Sequence, residues 1–381
     1  MKTIIKNGLL VDIGNNLNKN IDILVEDEHI IDIGYFENQK ADFIIDADDC
    51  IVIPGLIDHH VHIYPFISNG IPAEAVCFSS GVTTAVDAGS CGCDTYEKTR
   101  DFLQYTKLTI KSYLNISSMG LSSLPELEKL NPELYDISKI KKLFEAYPEE
   151  LIGLKLRTSK NIVKDLNFIP MEETIKIANE LKLPVMIHCT NPPGPMKDVV
   201  DLMRKGDILT HMYQNIGYTL LDDKMRVSKE IKDAREKGII FEAADARAHF
   251  SFEVSEKAIK DNFLPDIIAT DLTHYSMYQR PTAFSLMMQI AKYEMLGIKF
   301  EEVIRACTEI PAKKIGLYDK FGGLKKGHYA DIAIIKKVEK ENEFGDRPYY
   351  DPDKQLRSGS YVYNTMLTMK KGEIVYRNIL F

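Results

Sequence analysis

Six residues stand where their types and spacing could do chemistry together. His60 and His62, in the segment Asp58-His59-His60-Val61-His62, are two apart, and in an extended segment residues i and i+2 point to the same side. The pair therefore presents two imidazoles together, the ligand type that zinc and other borderline-soft divalent ions favour. His59 points the other way and is not read as a ligand. A His-x-His pair by itself is a weak signal. Further along, the apolar run 184–188 ends on His188, the run 207–211 ends on His211, and the run beginning at 266 leads into the carboxylate of Asp271. Lys155 lies inside the run 151–156, where a bare ammonium is costly to bury. Each of these alone is as readily a capped strand end or a satisfied polar residue.

The elements that must position them change the weighing. Short apolar runs at 51–53, 83–87, 110–116, 151–156, 184–188, 207–211, 238–243 and 266–270 alternate with stretches of helical period such as 171–181, 226–237 and 253–261. Val254, Ala258 and Ile259 fall on one face of the last of these. Eight βα units predict an α/β chain with a (β/α)8 TIM-type barrel, whose active site lies at the C-terminal ends of its strands. One polar residue at a strand end is common, but five on one rim are not.

Outside this region the grammar differs. Strands are expected at 3–11, 21–25, 29–33, 330–336, 361–370 and 374–377, the last two joined by the turn at Lys371-Gly372-Glu373. We therefore expect residues 51–322 to form the barrel. Residues 1–50 and 323–381 would pair into one small β-sandwich domain assembled from both termini.

Composition excludes several classes. With 45% hydrophobic and 27% charged residues the chain is neither disordered nor fibrous. A net charge of −8 argues against nucleic acid or an anionic membrane as partner, and no apolar run approaches the roughly 18 residues of a membrane span. The first residues lack the continuous apolar stretch of a signal peptide. Six cysteines without framework spacing fit a reduced, cytoplasmic protein, and Cys91 and Cys93 read as buried thiols rather than half of a redox motif.

The ordered set Asp58-x-His60-x-His62, Gly81-Val82-Thr83-Thr84, Lys155, His188, His211 and Asp271 resembles the amidohydrolase superfamily, specifically its binuclear-metal branch. The likeness extends to Gly323-Leu324-x-x-Gly327-x-x-Ala330-Asp331-Ile332 and to the closing segment 369–376. It implies two divalent metal ions, Zn2+ by default, with manganese, iron or nickel also admitted by such ligands. His60, His62 and Asp271 would hold one and His188 and His211 the other. Lys155, N6-carboxylated, would bridge them. Asp271 would be the catalytic base and then acid of a hydrolysis by metal-activated hydroxide. Segments 207–211, 269–272 and 187–193 resemble a dihydroorotase-like, deacetylase-type group associated with acetylated α-hydroxy acids. The loops 243–252 and 272–275 depart from that group's pattern.

The implied activity is cleavage of an amide or ester acyl bond of a small, anionic molecule. The alternatives are a cyclic amidohydrolase of the dihydroorotase or hydantoinase kind, and a scaffold that keeps the barrel without the chemistry. Arg157, two along from Lys155, could pair a substrate carboxylate or a structural acid. Tyr64 could reach into the pocket or cover the barrel mouth. Asn191 could contact substrate or simply start the turn at Pro192-Pro193-Gly194. Arg247, His249, His274 and Arg280 lie on expected mouth loops and are further substrate-binding candidates. Since barrels of this superfamily often self-associate, a homo-oligomer is expected.

Overall fold

The alternating runs close into eight parallel strands in the computed structural model, which describes residues 1–65, 67, 70–123 and 128–381. In chain order they are β1 (Leu56–Val61), β2 (Val82–Gly92), β3 (Thr109–Asn115), β4 (Leu151–Arg157), β5 (Val185–His188), β6 (Ile208–Thr210), β7 (Ile240–Ala244) and β8 (Ile267–Ala269). Each pairs with the next in one sheet. The ring closes just past β8, where the Asp271 N–H donates to the His60 carbonyl (2.7 Å) and the His62 N–H to the Leu272 carbonyl (3.0 Å). Asp58 ties the seam by accepting from the backbone N–H (3.1 Å) and hydroxyl (2.6 Å) of Thr270.

Strand period decides which side chains enter the barrel. Val185 and Ile187 of β5, like Leu154 and Leu156 of β4, join the core that the strands share with the surrounding helices. Their alternates Lys155, Arg157 and His188 border the central cavity. Ile57, Val86, Ala88, Tyr113, Met186 and Ile208 belong to a separate core that floors the barrel. The helices match expectation within a few residues, at Ile169–Leu181, Lys229–Lys237 and Phe252–Lys260. The second begins at 229 rather than 226 because the Ser228 hydroxyl caps it, accepting from the Ile231 N–H.

One expected barrel run belongs elsewhere. Ile51–Pro54 lies in a six-stranded sheet, antiparallel to Ile332–Gly345 and parallel to Leu9–Asp12, so the first barrel strand is β1. The chain crosses from that sheet to the barrel at Pro54-Gly55. A side chain on Gly55 would lie 2.4 Å from the Thr83 hydroxyl oxygen, so only glycine passes there. A short apolar run buried on both faces carries no mark of the sheet it will join, which is why the boundary at 50/51 misplaces this strand.

The remaining strands of the six-stranded sheet are Leu17–Asn20, Leu356–Lys370 and Glu373–Arg377. A four-stranded sheet combines Lys2–Lys6, Asp22–Glu26, His29–Gly34 and Phe43–Asp46. The two share a core that joins Ile5, Ile23 and Val25 to Leu10, Val52, Ile332 and Leu367, a sandwich drawn from both ends of the chain. The single strand expected over 3–11 is two, broken at Asn7, whose φ is +65°. Among the described residues no helix is long and apolar enough to cross a membrane. All six cysteines are buried free thiols, Cys91 and Cys93 included.

Candidate active site

At the C-terminal ends of the strands a cavity of about 250 Å³ is bordered by His60, His62, Lys155, His188, His249 and Asp271, with Arg157 and Arg247 at its rim. His60 ends one turn of the pleat before the close of β1, and His62 follows it. Lys155 lies in β4 and His188 ends β5. His211 and Asp271 follow β6 and β8 with φ of +63° and +51°, left-handed backbone that is rare for such residues and is held by the flanking strands.

The imidazoles are oriented through one nitrogen each. The acceptor-only carboxylate of Glu242 faces His60 Nδ1 at 2.7 Å, so Nδ1 carries the proton and Nε2 is bare. That Nε2 lies 3.4 Å from Asp271 Oδ1 and 3.4 Å from Lys155 Nζ. The Ser90 hydroxyl donates to Asp87 (2.7 Å) and therefore accepts from His62 Nδ1 (2.8 Å), turning His62 Nε2 toward Asp271 Oδ1 at 3.2 Å. His211 Nδ1 donates to the Ala244 carbonyl (2.6 Å), and its bare Nε2 faces His188 Nδ1 at 2.8 Å. Ligand atoms of His60, His211 and Asp271 lie within 4.8 Å of one another. Bare imidazole nitrogens converging with a carboxylate are the donor set that zinc-like divalent ions take, so the residues present fit such ions.

Electrostatics keeps these groups in their ligating forms. Burial, followed by the neighbouring cations, holds the His60, His188 and His211 imidazoles below their ordinary range and hence neutral. Burial lowers the Lys155 amine to about 8 and the His249 imidazole to about 4. Burial works to raise Asp271, but the surrounding His60, His62 and His211 outweigh it and hold the carboxyl well below the usual range.

The other candidates separate. Arg157 borders the cavity while donating through Nη1 to the buried Glu128 (2.7 Å), which also accepts from Asn115 (2.9 Å). Arg247 lines the mouth, its guanidinium 5.6 Å from the Tyr275 ring centre. His249 sits deeper than a mouth residue, its ring centre 4.3 Å from that of His211. Tyr64 is not in the pocket: it is buried against Tyr96 and bonds the Ser112 hydroxyl (2.6 Å), because the chain turns outward after His62. Asn191 does not border the cavity either. With φ of +53° and its N–H on the Ile216 carbonyl (3.1 Å), it fills the turn-starting role. His274 is exposed and stacks edge-on with Tyr275 and Tyr278. Arg280 is exposed, lies over Phe284 and bonds the Met277 carbonyl (2.9 Å), in a groove on the side of the terminal sheet. These two ride a loop that runs away from the mouth.

Glu242 is the residue that sequence reading missed. It is fully buried and accepts from both His60 and His59 (2.5 Å) through their Nδ1 atoms. A carboxylate within the apolar run 238–243 is as anomalous as the lysine in 151–156, and that was the available signal. Asp87 and Ser90, which orient His62, carried a weaker one.

The sequence pattern of the amidohydrolase family matches residues 51–375, most of the chain and all six residues of the ligand set. The chain belongs to the amidohydrolase family. A deacetylase of Brucella anthropi is 32% identical to this amidohydrolase over 333 residues, 85% of this chain and 81% of the relative. A deacetylase of Agrobacterium fabrum is 32% identical over 79% of this chain and 74% of its own. Among solved structures, an adenine deaminase superimposes with a TM-score of 0.89 at 25% identity, and a dihydroorotase with 0.87 at 27%. Each covers 99% of both chains. The amidohydrolase is thus a metal-dependent hydrolase with the (β/α)8 architecture of its relatives.

Proposed function

We propose that this amidohydrolase is a binuclear, deacetylase-type enzyme that cleaves the amide or ester acyl bond of a small anionic substrate. The observation that carries the reading is the convergence of the bare His60 and His62 nitrogens on Asp271, with Lys155 beside His60 and a His211 nitrogen within 4.8 Å of His60 and Asp271. In this reading His60, His62 and Asp271 hold one ion and His188 and His211 the other, both Zn2+, with Lys155 in its N6-carboxylated form as a ligand to both. When bound, the ions supply Lewis-acid chemistry, polarising a carbonyl and lowering the pKa of water into the neutral range.

The chain's own residues do the rest. Asp271, kept as a carboxylate, accepts a proton from the attacking water and returns it to the leaving group. Lys155, with its amine lowered to about 8, has an appreciable neutral fraction near pH 7, the form that adds carbon dioxide. Carboxylation would replace a buried cation by an anionic oxygen ligand, whose burial the divalent ions would offset. Arg157 is already paired with the buried Glu128, so among the described cavity-lining arginines Arg247 is the one open to a substrate carboxylate. Their identities as deacetylases at 32% make the two bacterial relatives the support for acyl transfer to water. The dihydroorotase likeness over the whole chain favours a second reading, opening of a cyclic amide by the same centre.

Turnover of N-acetyl amino acids and O-acetyl hydroxy acids, set beside dihydroorotate and hydantoins, separates the two. Hydrolysis confined to the cyclic compounds would refute the deacetylase reading. Elemental analysis of protein purified without chelator is expected to give two divalent ions per chain, zinc foremost. Replacing Lys155 by alanine should lower that occupancy, and a small added carboxylate should restore it. Full occupancy in the variant without a supplement would remove Lys155 from the ligand set. Light scattering tests the homo-oligomer that belongs to the same reading.

A further inference from the structure

Four imidazoles, of His60, His62, His188 and His249, border the cavity and a fifth, of His211, packs against three of them, yet the ordered ligand set uses four of the five. The fifth, His249, comes from the loop after β7, where no strand period announces it. We propose that His249 is a third imidazole ligand, beside His188 and His211, to one ion of the pair. The proposal rests on the binuclear reading above and adds a ligand to it.

The geometry that supports it is local. His249 Nδ1 lies 3.0 Å from the Thr190 hydroxyl, two residues past His188 on the loop after β5, so one nitrogen is tethered and Nε2 is the free one. Nε2 lies 3.8 Å from Asp271 Oδ2. The His249 ring centre is 4.3 Å from that of His211 and 5.0 Å from that of His188. Ligand nitrogens of His188, His211 and His249 all lie within 4.8 Å of one another. Nitrogens bound at about 2.0–2.1 Å to one tetrahedral zinc ion stand about 3.3–3.4 Å apart, so shifts of up to about 1.5 Å close the trio on a single ion. His211 Nδ1 is committed to the Ala244 carbonyl, which leaves its Nε2 as a bare lone pair facing the other two rings.

The test uses the full chain, stripped with chelator and reloaded with Co2+, followed by equilibrium binding and visible absorption. Wild type is expected to bind two equivalents. His249→Ala and His249→Asn should keep the affinity of one equivalent. They should weaken the other by at least the roughly 10–100-fold that follows loss of an outer-sphere partner, with a changed cobalt spectrum. Added imidazole should return the alanine variant toward the wild-type spectrum, which repair of a merely structural defect would not do. Two equivalents bound by both variants with wild-type affinity and spectrum would overturn the ligand role while the binuclear centre stands. Wild-type protein that takes up no cobalt would overturn that centre, and the ligand role with it.

Discussion

In the reading proposed above Asp271 moves protons as well as binding metal: Oδ1 faces His62 and His60, while Oδ2 is turned toward His249. Asp271→Asn keeps the shape and removes the base. It should therefore cost about 10²–10⁴-fold in turnover, measured as kcat on whichever substrate the panel identifies, with an unchanged circular dichroism spectrum. A rate near wild type would exclude Asp271 as the proton carrier. Glu242 acts one bond further out. It holds the protons on Nδ1 of His60 and His59, so Glu242→Gln, which can donate where a proton already sits, should lower metal affinity about 10–100-fold by competition with a chromophoric chelator. Unchanged affinity would make the carboxylate a packing group. The clustering of these residues was legible because strands of period 2 put His60, Lys155 and His188 on the inner side and end them at one rim. The place of His249 beside His188 and His211 was not legible, since a loop has no period to read. Tyr64 was misjudged for the same reason, three residues beyond the end of the strand at Val61.

At the scale of elements, the segment after β7 is held from behind. Asp245 is buried and accepts from Lys292, from Gln289 (2.7 Å) and from the Tyr293 hydroxyl (2.9 Å), all on the helix Leu286–Met295. The next residue, Ala246, has φ of +43°, and the chain then presents Arg247 and His249 to the cavity. Lys292→Met leaves the Asp245 charge buried with neutral donors only. Breaking a buried pair from one side typically costs about 3–5 kcal/mol, so the variant should unfold at markedly lower denaturant. A midpoint equal to wild type would show that the pair contributes little. Gly89 makes a second such support, under Lys155: its φ is +84°, and a side chain there would lie 2.5 Å from the Lys155 Cβ. Neither support could be read in advance, because each pairs residues whose closeness depends on barrel closure.

At the scale of the molecule, pH acts on the floor of the barrel as well as on its mouth. Lys314, in the helix Glu309–Lys314, donates to the Gly206 carbonyl, and burial lowers its amine from 10.5 to about 8. The unfolded chain binds this proton more tightly than the folded one, so the group's contribution is largest above about 10.5 and is lost as pH falls through about 8. Between those values stability should rise with pH by at most about 1.4 kcal/mol per unit. Lys314→Met should flatten that rise when Tm is followed from neutral to alkaline pH. An identical slope in both proteins would assign it to other groups. Seven of the eight barrel strands were legible as alternating units, while the first, Leu56–Val61, was displaced in the reading by the run at 51–53, and the sandwich was foreshadowed by most of its strands but not by Leu17–Asn20 or Phe43–Asp46. The partner of Ile51–Pro54 was hidden because pairing across most of the chain leaves no local trace.

That pairing sets an order of assembly during synthesis. The antiparallel neighbour of Ile51–Pro54 begins at Ile332, about 280 residues later. At about 5–20 residues per second, roughly 14–56 s separate the two on the ribosome. Throughout that interval Ile51, Val52 and Ile53 present an open apolar edge while the barrel strands that follow are already emerging. An edge of this kind is what holding chaperones recognise and what aggregation exploits. The last strands to be made therefore act as a latch, and changes that slow or weaken Ile332–Gly345 should surface first as lost yield during expression rather than as lost activity in the protein that survives.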